Sequence, residues 1–192
     1  MKKILALMVI AISALIVISC SSTKGDARDT AVYKQNEELN RPHWVGAQFT
    51  TKMNKSHYYW EGGVDDAGFF ASGEAKYSDV KTSTQAADLD GKAALANYAK
   101  QNITSIASEL SKNEGGDSET EKELQNFTQT VSSITISGIM RVDRYIAEDG
   151  TVYVLMYVPT EEVEKALKNK DNSEFANKVL DKVYGLSDAK KE

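Results

Sequence analysis

The chain has 192 residues, 41% of them hydrophobic and 27% charged, a composition that suits one ordinary folded domain. Acidic residues outnumber basic ones by 28 to 23, and the formal net charge of −5 disfavours electrostatic binding to nucleic acid or to anionic lipid head groups. Cys20 is the only cysteine, so the sequence excludes intramolecular disulfides and, downstream of it, cysteine nucleophiles and thiolate zinc sites.

The first twenty residues, MKKILALMVIAISALIVISC, have the order of a secretory signal. Two lysines form a basic start, an apolar run covers residues 4–18, and small residues lead to Cys20. The run is shorter than the roughly 18 apolar residues of a membrane span. This stretch resembles a bacterial lipoprotein signal, which implies acylation of Cys20 by lipids such as palmitate and removal of residues 1–19. Since Ser21 rather than aspartate follows the cysteine, we expect a lipid anchor in the outer membrane of the cell envelope.

Residues 21–40 are polar, contain few large apolar side chains, and predict a flexible tether between the lipid and the domain. A single domain is predicted over residues 41–186, followed by a polar tail at residues 187–192. Pro42 and Trp44 open this domain, and we expect Trp44 to pack into its core.

Residues 69–77, FFASGEAKY, alternate between two faces and predict a β-strand. One face carries Phe69, Ala71, Gly73, Ala75 and Tyr77. The small residues in the middle of that face would let the following helix approach closely. That long helix is predicted to begin with a capping box at Thr82 and Gln85 and to end before the sequence EGGD. Its predicted buried face consists of Leu89, Ala93, Ala96, Ile103, Ile106 and Leu110.

A second capping box, Ser118 with Glu121, opens a shorter helix. Leu124, Phe127 and Val131 form its apolar stripe. The chain is then predicted to be extended from residue 134 to residue 146, and Asp149-Gly150 predicts a hairpin with a type I′ turn.

Residues 152–158, VYVLMYV, are almost continuously apolar and predict a central strand. Thr160 is predicted to cap a helix that buries Val163 and Leu167. The last helix, from about Ser173 to Gly185, is predicted to bury Phe175, Val179 and Val183 and to end in a Schellman cap with Leu186. This order predicts an α+β fold, in which the long Ala-rich helix and the C-terminal helices pack against a small antiparallel sheet.

Four features in this order resemble the LPP-twenty family of bacterial lipoproteins. They are a Trp soon after a proline (Pro42, Trp44), the glycine-bearing strand FFASGEAKYS, the Ala-rich helix AADLDGKAALANYAKQNI and the late hairpin EDGTVYVLMYVP. A related domain occurs in flagellar T-ring proteins. The resemblance implies a scaffolding role with another envelope or flagellar-associated protein as partner, and it supplies no catalytic residues.

The sequence carries no recognised pattern of catalysis, cofactor binding or metal binding. His43 and His57 lack further ligands at zinc spacing, and the acidic group Glu61, Asp65 and Asp66 lacks the alternating spacing of a calcium loop. The expectation is therefore a non-enzyme with no cofactor and no metal.

The aromatic residues Tyr58, Tyr59, Trp60 and Phe70 are the candidate partner-binding site. They are too dense for one short segment to bury, so we expect some of them to form an exposed surface. The favoured hypothesis is a lipid-anchored envelope protein with a structural or protein-interaction role. The alternative is a periplasm-facing module that uses these aromatics as a platform for a small apolar or carbohydrate ligand.

Overall fold

The computed structural model describes residue 28 and residues 30–50, 59–60, 62, 67–113, 115, 117–171 and 173–185. In this part of the chain the elements follow in the order α1 (Ala31–Glu38), β1 (Gln48–Thr50), β2 (Gly68–Ala75), α2 (Val80–Asn113), α3 (Ser118–Ser133), β3 (Met140–Ile146), β4 (Val152–Pro159), α4 (Thr160–Lys168) and α5 (Glu174–Gly185).

The four strands form one antiparallel sheet in the order β1-β2-β4-β3. The predicted central position of β4 is confirmed, since it pairs with β2 on one side and with β3 on the other. Both faces of β4 are buried. Val154 and Met156 point to the helices α2–α5, whereas Leu155 and Tyr157 point to the opposite face. This two-sided burial explains why β4 reads as a continuous apolar run.

The long helix α2 crosses the sheet at a contact between two glycines. A Cβ atom placed on Gly73 of β2 would lie 2.2 Å from the backbone nitrogen of Gly91 and 2.5 Å from the backbone oxygen of Ala87. Only a hydrogen fits in that space, so the predicted close approach of this helix to the small-residue face is confirmed. The α+β class, with the long helix packed on the sheet, is confirmed with it.

The buried face of α2 advances in steps of four residues. Its members are Ser83, Ala87, Gly91, Leu95, Ala99, Ile103, Ala107 and Ser111. Four residues exceed one helical turn by about 40°, so this face winds around the helix from the sheet towards α3 and α5. The predicted burial of Ile103 and Leu110 is confirmed, and that of Leu89 and Ala93 is wrong. The N-terminal half of α2 is apolar on two opposite sides. Ala87 and Gly91, and not Leu89, face the sheet.

Aspartates, and not the hydroxyl residues after them, cap α2 and α3. The backbone N–H of Thr82 donates to Asp79 Oδ1 at 2.8 Å, and that of Thr120 donates to Asp117 Oδ1 at 2.8 Å. Hydrogen bonds from Thr82 lower the pKa of Asp79, and those from Thr120 lower the pKa of Asp117. The capping boxes predicted at Thr82 and Ser118 are therefore wrong, because each helix begins before or at those residues.

The β3–β4 hairpin exists, but its turn is not of type I′. The N–H of Gly150 donates to the carbonyl of Ala147, and the N–H of Ala147 donates to the carbonyl of Thr151, both at 2.9 Å. Only Gly150, at φ +86°, has a positive φ in this turn. This is the type I turn with a glycine bulge that three-residue hairpin loops favour. The backbone N–H of Thr151, helped by Lys76, lowers the pKa of Asp149 to about 2.

The C-terminal helices pack as predicted, with one difference at the start of α4. Their burial of Val163, Leu167, Phe175, Val179 and Val183 is confirmed. Thr160 is the first helical residue and does not cap α4 with its side chain; its backbone N–H donates to the carbonyl of Ala67 at 2.9 Å. Helix α5 ends at Gly185, while Leu186 and the tail lie outside the described residues.

Strand β3 is one edge of the sheet. Its register with β4 shifts between Arg141 and Asp143, which places a bulge at Val142. Arg141 turns towards α2 and contacts both carboxylate oxygens of Asp88, at 2.9 and 3.0 Å. A bulge and charged side chains are the usual protection of an edge strand against further pairing.

Candidate functional site

The second face of the sheet carries a buried aromatic layer, which consists of Trp44, Phe49, Tyr59, Phe70 and Tyr157. Phe70 lies at its centre, with ring centroids 4.7 Å from Phe49 and 4.8 Å from Tyr157. Trp44 is buried as expected, and its indole N–H donates to Asp143 Oδ2 at 3.1 Å. Helix α1 and the segment that follows it cover this layer.

Two of the four residues of the aromatic candidate site, some of which were expected to be exposed, are buried. Phe70 is 0% exposed and Tyr59 is 7% exposed. Trp60 is half-buried, with its ring centroid 5.7 Å from that of Phe70. Tyr58 lies outside the described residues. Both faces of the sheet are buried, which the sequence interpretation of this aromatic group did not take into account.

Helix α1, which helps to cover the aromatic layer, lies in the stretch predicted to be a tether. Residues 31–38 are helical, so the predicted domain start at residue 41 is wrong. Thr30 caps the helix by accepting from the N–H of Tyr33, and its hydroxyl lies 2.9 Å from the hydroxyl of Tyr59. Residues 1–27, with the predicted signal and Cys20, lie outside the described part of the chain.

Asn36 joins α1 to the rest of the fold and is completely buried. Its side-chain amide donates to the carbonyls of His43 at 2.9 Å and of Val45 at 2.7 Å. Its oxygen accepts from Nε of Arg41 at 2.6 Å. Asn36 therefore supplies hydrogen-bond donors to two carbonyl groups of the loop that carries Trp44 into the aromatic layer.

Replacing Asn36 with Ala should lower the free energy of unfolding by about 1–3 kcal/mol, because two carbonyl groups lose their donor. Gln35→Ala, at the exposed neighbouring position of α1, is the matched control and should stay within about 0.5 kcal/mol of wild type. Urea unfolding followed by tryptophan fluorescence measures both. Equal midpoints for the two variants would contradict the role assigned to Asn36.

His43 stacks on Tyr33 with ring centroids 3.9 Å apart, and His57 lies outside the described residues. Among the residues that the structure describes, no group of three or more His, Cys, Asp and Glu side chains could hold a metal ion. In the same residues, every buried side-chain nitrogen and oxygen has a hydrogen-bond partner.

Two open grooves flank α2 on the helical side of the sheet. One, of about 590 Å³, lies between α2 and α3 and is lined mainly by hydroxyl and amide side chains, including Thr104, Ser108 and Thr128. The other, of about 480 Å³, lies between α2 and the extended segment 134–139. Ala93 and Ala96 line it, and Lys92 and Lys100 accompany them. The sequence interpretation missed this second groove because it assigned Ala93, which is exposed, to the core; Ala96 is half-buried and does pack against the core.

Comparison with known proteins gives no match: no protein family, no curated protein and no solved structure is significantly similar to this chain. The resemblance to the LPP-twenty family thus stays a prediction. Within the described ranges, no helix has both the length and the apolar character that a membrane span requires.

Proposed function

We propose that the protein is a non-catalytic bacterial lipoprotein, held at the envelope membrane by acyl chains on Cys20, whose folded domain binds another envelope protein. The observation that carries this proposal is the leader MKKILALMVIAISALIVISC, with its basic start, short apolar run and terminal cysteine. Two or more acyl chains supply stable anchoring, since each buried CH₂ contributes roughly 0.8 kcal/mol.

The position of α1 supports a domain held close to the membrane. Ten residues separate Cys20 from Thr30, the N-cap of α1, and a chain of that length spans at most about 35 Å even if fully extended. Helix α1 lies on the aromatic face of the sheet, so the anchor joins the domain on that side. The helices α2–α5 lie on the other side of the sheet.

Burial of the aromatic residues weighs against the ligand-binding alternative, and it equally removes Tyr59 and Phe70 from the partner-binding site expected from the sequence. A carbohydrate platform needs exposed rings, and Phe70 and Tyr59 are both buried. That alternative therefore loses two of the four residues on which it rested.

Changing Cys20→Ala should abolish acylation and leave a longer precursor or a species that no longer sediments with membranes. Ser22→Ala, two residues away, is the matched control and should keep both. The measurements are membrane fractionation and the intact mass of the purified chain. Unchanged mass and fractionation of the Cys20 variant would rule out the lipid anchor.

The interaction role is tested separately, by formaldehyde crosslinking of intact cells that make the lipidated chain. A discrete heteromeric product is the expected result. If the protein is recovered only as monomer under conditions that crosslink other envelope complexes, the proposed role is wrong.

A further inference from the structure

Helix α2 is apolar on the side that faces away from the sheet. We define its outer face as Ala86, Leu89, Ala93 and Ala96; Leu89 and Ala93 are exposed, whereas Ala86 and Ala96 are half-buried and Ala96 also packs against the core. At 100° per residue these positions lie within about 40° of the direction opposite Gly91, the residue that touches β2. Leu89 is 69% exposed, the largest value among the exposed large hydrophobic residues of the described chain. A leucine so placed contributes nothing to the core of this domain.

The spacing of the outer face is that of a helix–helix contact. Positions 86, 89, 93 and 96 repeat in steps of three, four and three residues, the pattern of the a and d positions of a coiled coil. The three alanines let a second backbone approach closely, and Leu89 supplies a side chain that can insert between the residues of a partner helix.

The groove beside this outer face carries positive charge. Lys92 is exposed, and Lys100 lines the same groove while its ammonium donates to the carbonyl of Ser132 at 2.9 Å. The groove lining contains no acidic side chain among the described residues. Glu162 reaches only the end near Ser137 and is paired with Lys165 at 2.6 Å. A basic groove on a chain of net charge −5 favours an acidic occupant.

We propose that the outer face of α2 and the groove beside it bind an amphipathic helix of another envelope protein, with acidic residues along the flank that meets Lys92. The inference rests on the proposed interaction role and names the surface that performs it. The face lies on the side of the sheet opposite α1, where the anchor attaches, so a partner reaches it without displacing the anchor.

A second copy of the chain is a poorer occupant than an acidic helix. In a parallel pair, Lys92 at a g position meets Asn97 at the e position of the other copy, which offers no charge. In an antiparallel pair, the same flank of both helices meets, and the two Lys92 side chains approach each other.

The test is site-specific photo-crosslinking in cells that make the full lipidated chain. The crosslinker p-benzoylphenylalanine replaces Leu89, and Tyr77, which is 60% exposed and lies off the outer face, is the control position. The expected result is a product from position 89 alone, whose partner peptide, read by mass spectrometry, is an amphipathic helical segment with Asp or Glu on one flank. Adding Lys92→Glu should reduce its yield at least five-fold, whereas Lys122→Glu, an exposed lysine of α3, should not.

Four results would overturn the inference: no product from position 89, a product with a second copy, a product with lipid, or a yield that Lys92→Glu leaves unchanged. Lys92→Glu changes an exposed side chain, so the melting temperature of the purified variant should match that of wild type. If formaldehyde still captures a heteromeric complex of the wild-type chain in these cases, the interaction role stands and only the surface is wrong. If formaldehyde captures none, the proposed function fails as well.

Discussion

Phe70→Ala is expected to lower the free energy of unfolding by about 3–5 kcal/mol, the range for removing a fully buried phenylalanine. Phe70 is 0% exposed and stacks on Phe49 at 4.7 Å with an angle of 7° between the rings. Its removal leaves a cavity between the sheet and the segment that covers it. Since each kcal/mol shifts the melting temperature of a domain of this size by about 2–4 °C, we expect a decrease on the order of 10 °C.

The measurement is a thermal melt by circular dichroism on the full chain in detergent. Tyr77→Ala is the control, because Tyr77 is an exposed aromatic residue and its removal should change stability by no more than about 0.5 kcal/mol. A Phe70→Ala melt that coincides with the control melt would show that the ring is exposed, and it would restore Phe70 as a candidate partner-binding residue.

Gly73→Leu is the second large effect, and here the cause is excess volume. A Cβ at Gly73 would already lie 2.2 Å from a backbone atom of Gly91, so a leucine must push α2 away from the sheet. Overpacking of this kind costs typically 1–3 kcal/mol, and a backbone obstacle places the expected loss at the upper end of about 3 kcal/mol. Gly73→Ala should also destabilise the protein, by less than Gly73→Leu.

Glu74→Ala is the matched control, since the next residue of the same strand is exposed and tolerates a small side chain. Differential scanning calorimetry of the three variants orders their melting temperatures. If Gly73→Ala and Glu74→Ala have the same melting temperature, the contact between β2 and α2 is looser than the 2.2 Å distance implies.

Much of the sheet could be predicted because strands place alternate residues on opposite faces. The period of two put Gly73 on the face that contacts α2, and the continuous apolar run at residues 152–158 predicted a central strand, which the structure shows to be buried on both sides. These inferences need only the geometry of a single strand. The hairpin followed from Asp149-Gly150, although the turn type did not, because one glycine with positive φ is compatible with two hairpin geometries.

The elements that could not be predicted depend on contacts between distant parts of the chain. Helix α1 is polar along most of its length, and one buried amide, Asn36, joins it to residues seven and nine positions later. No apolar periodicity marks such a helix. Leu89 and Ala93 were assigned to the buried face of α2 for a related reason: the N-terminal half of the helix is apolar on two sides, and only contact with Gly73 decides which side faces the sheet.

The sequence and the structure point to different candidate binding surfaces, for the same physical reason. The density of Tyr59, Trp60 and Phe70 indicated a surface because the residues that cover them were assigned to a tether. With α1 folded over the sheet, Tyr59 and Phe70 belong to the core, and Leu89 is the most exposed large hydrophobic residue of the described chain. A signal was present in the sequence, since positions 86, 89, 93 and 96 repeat at heptad spacing, but it overlaps the four-residue repeat of the buried face.

The proposed lipid anchor would confine the protein to a membrane surface, and the blunted edge at β3 has a consequence there. Copies confined to a two-dimensional layer collide far more often than the same number in bulk water, and each collision of two open strand edges is a chance to polymerise. The bulge at Val142 breaks the row of backbone groups, and Arg144 adds a charge beside it. The β3 edge therefore disfavours strand pairing between anchored copies, and it would leave the proposed α2 surface free for a different partner.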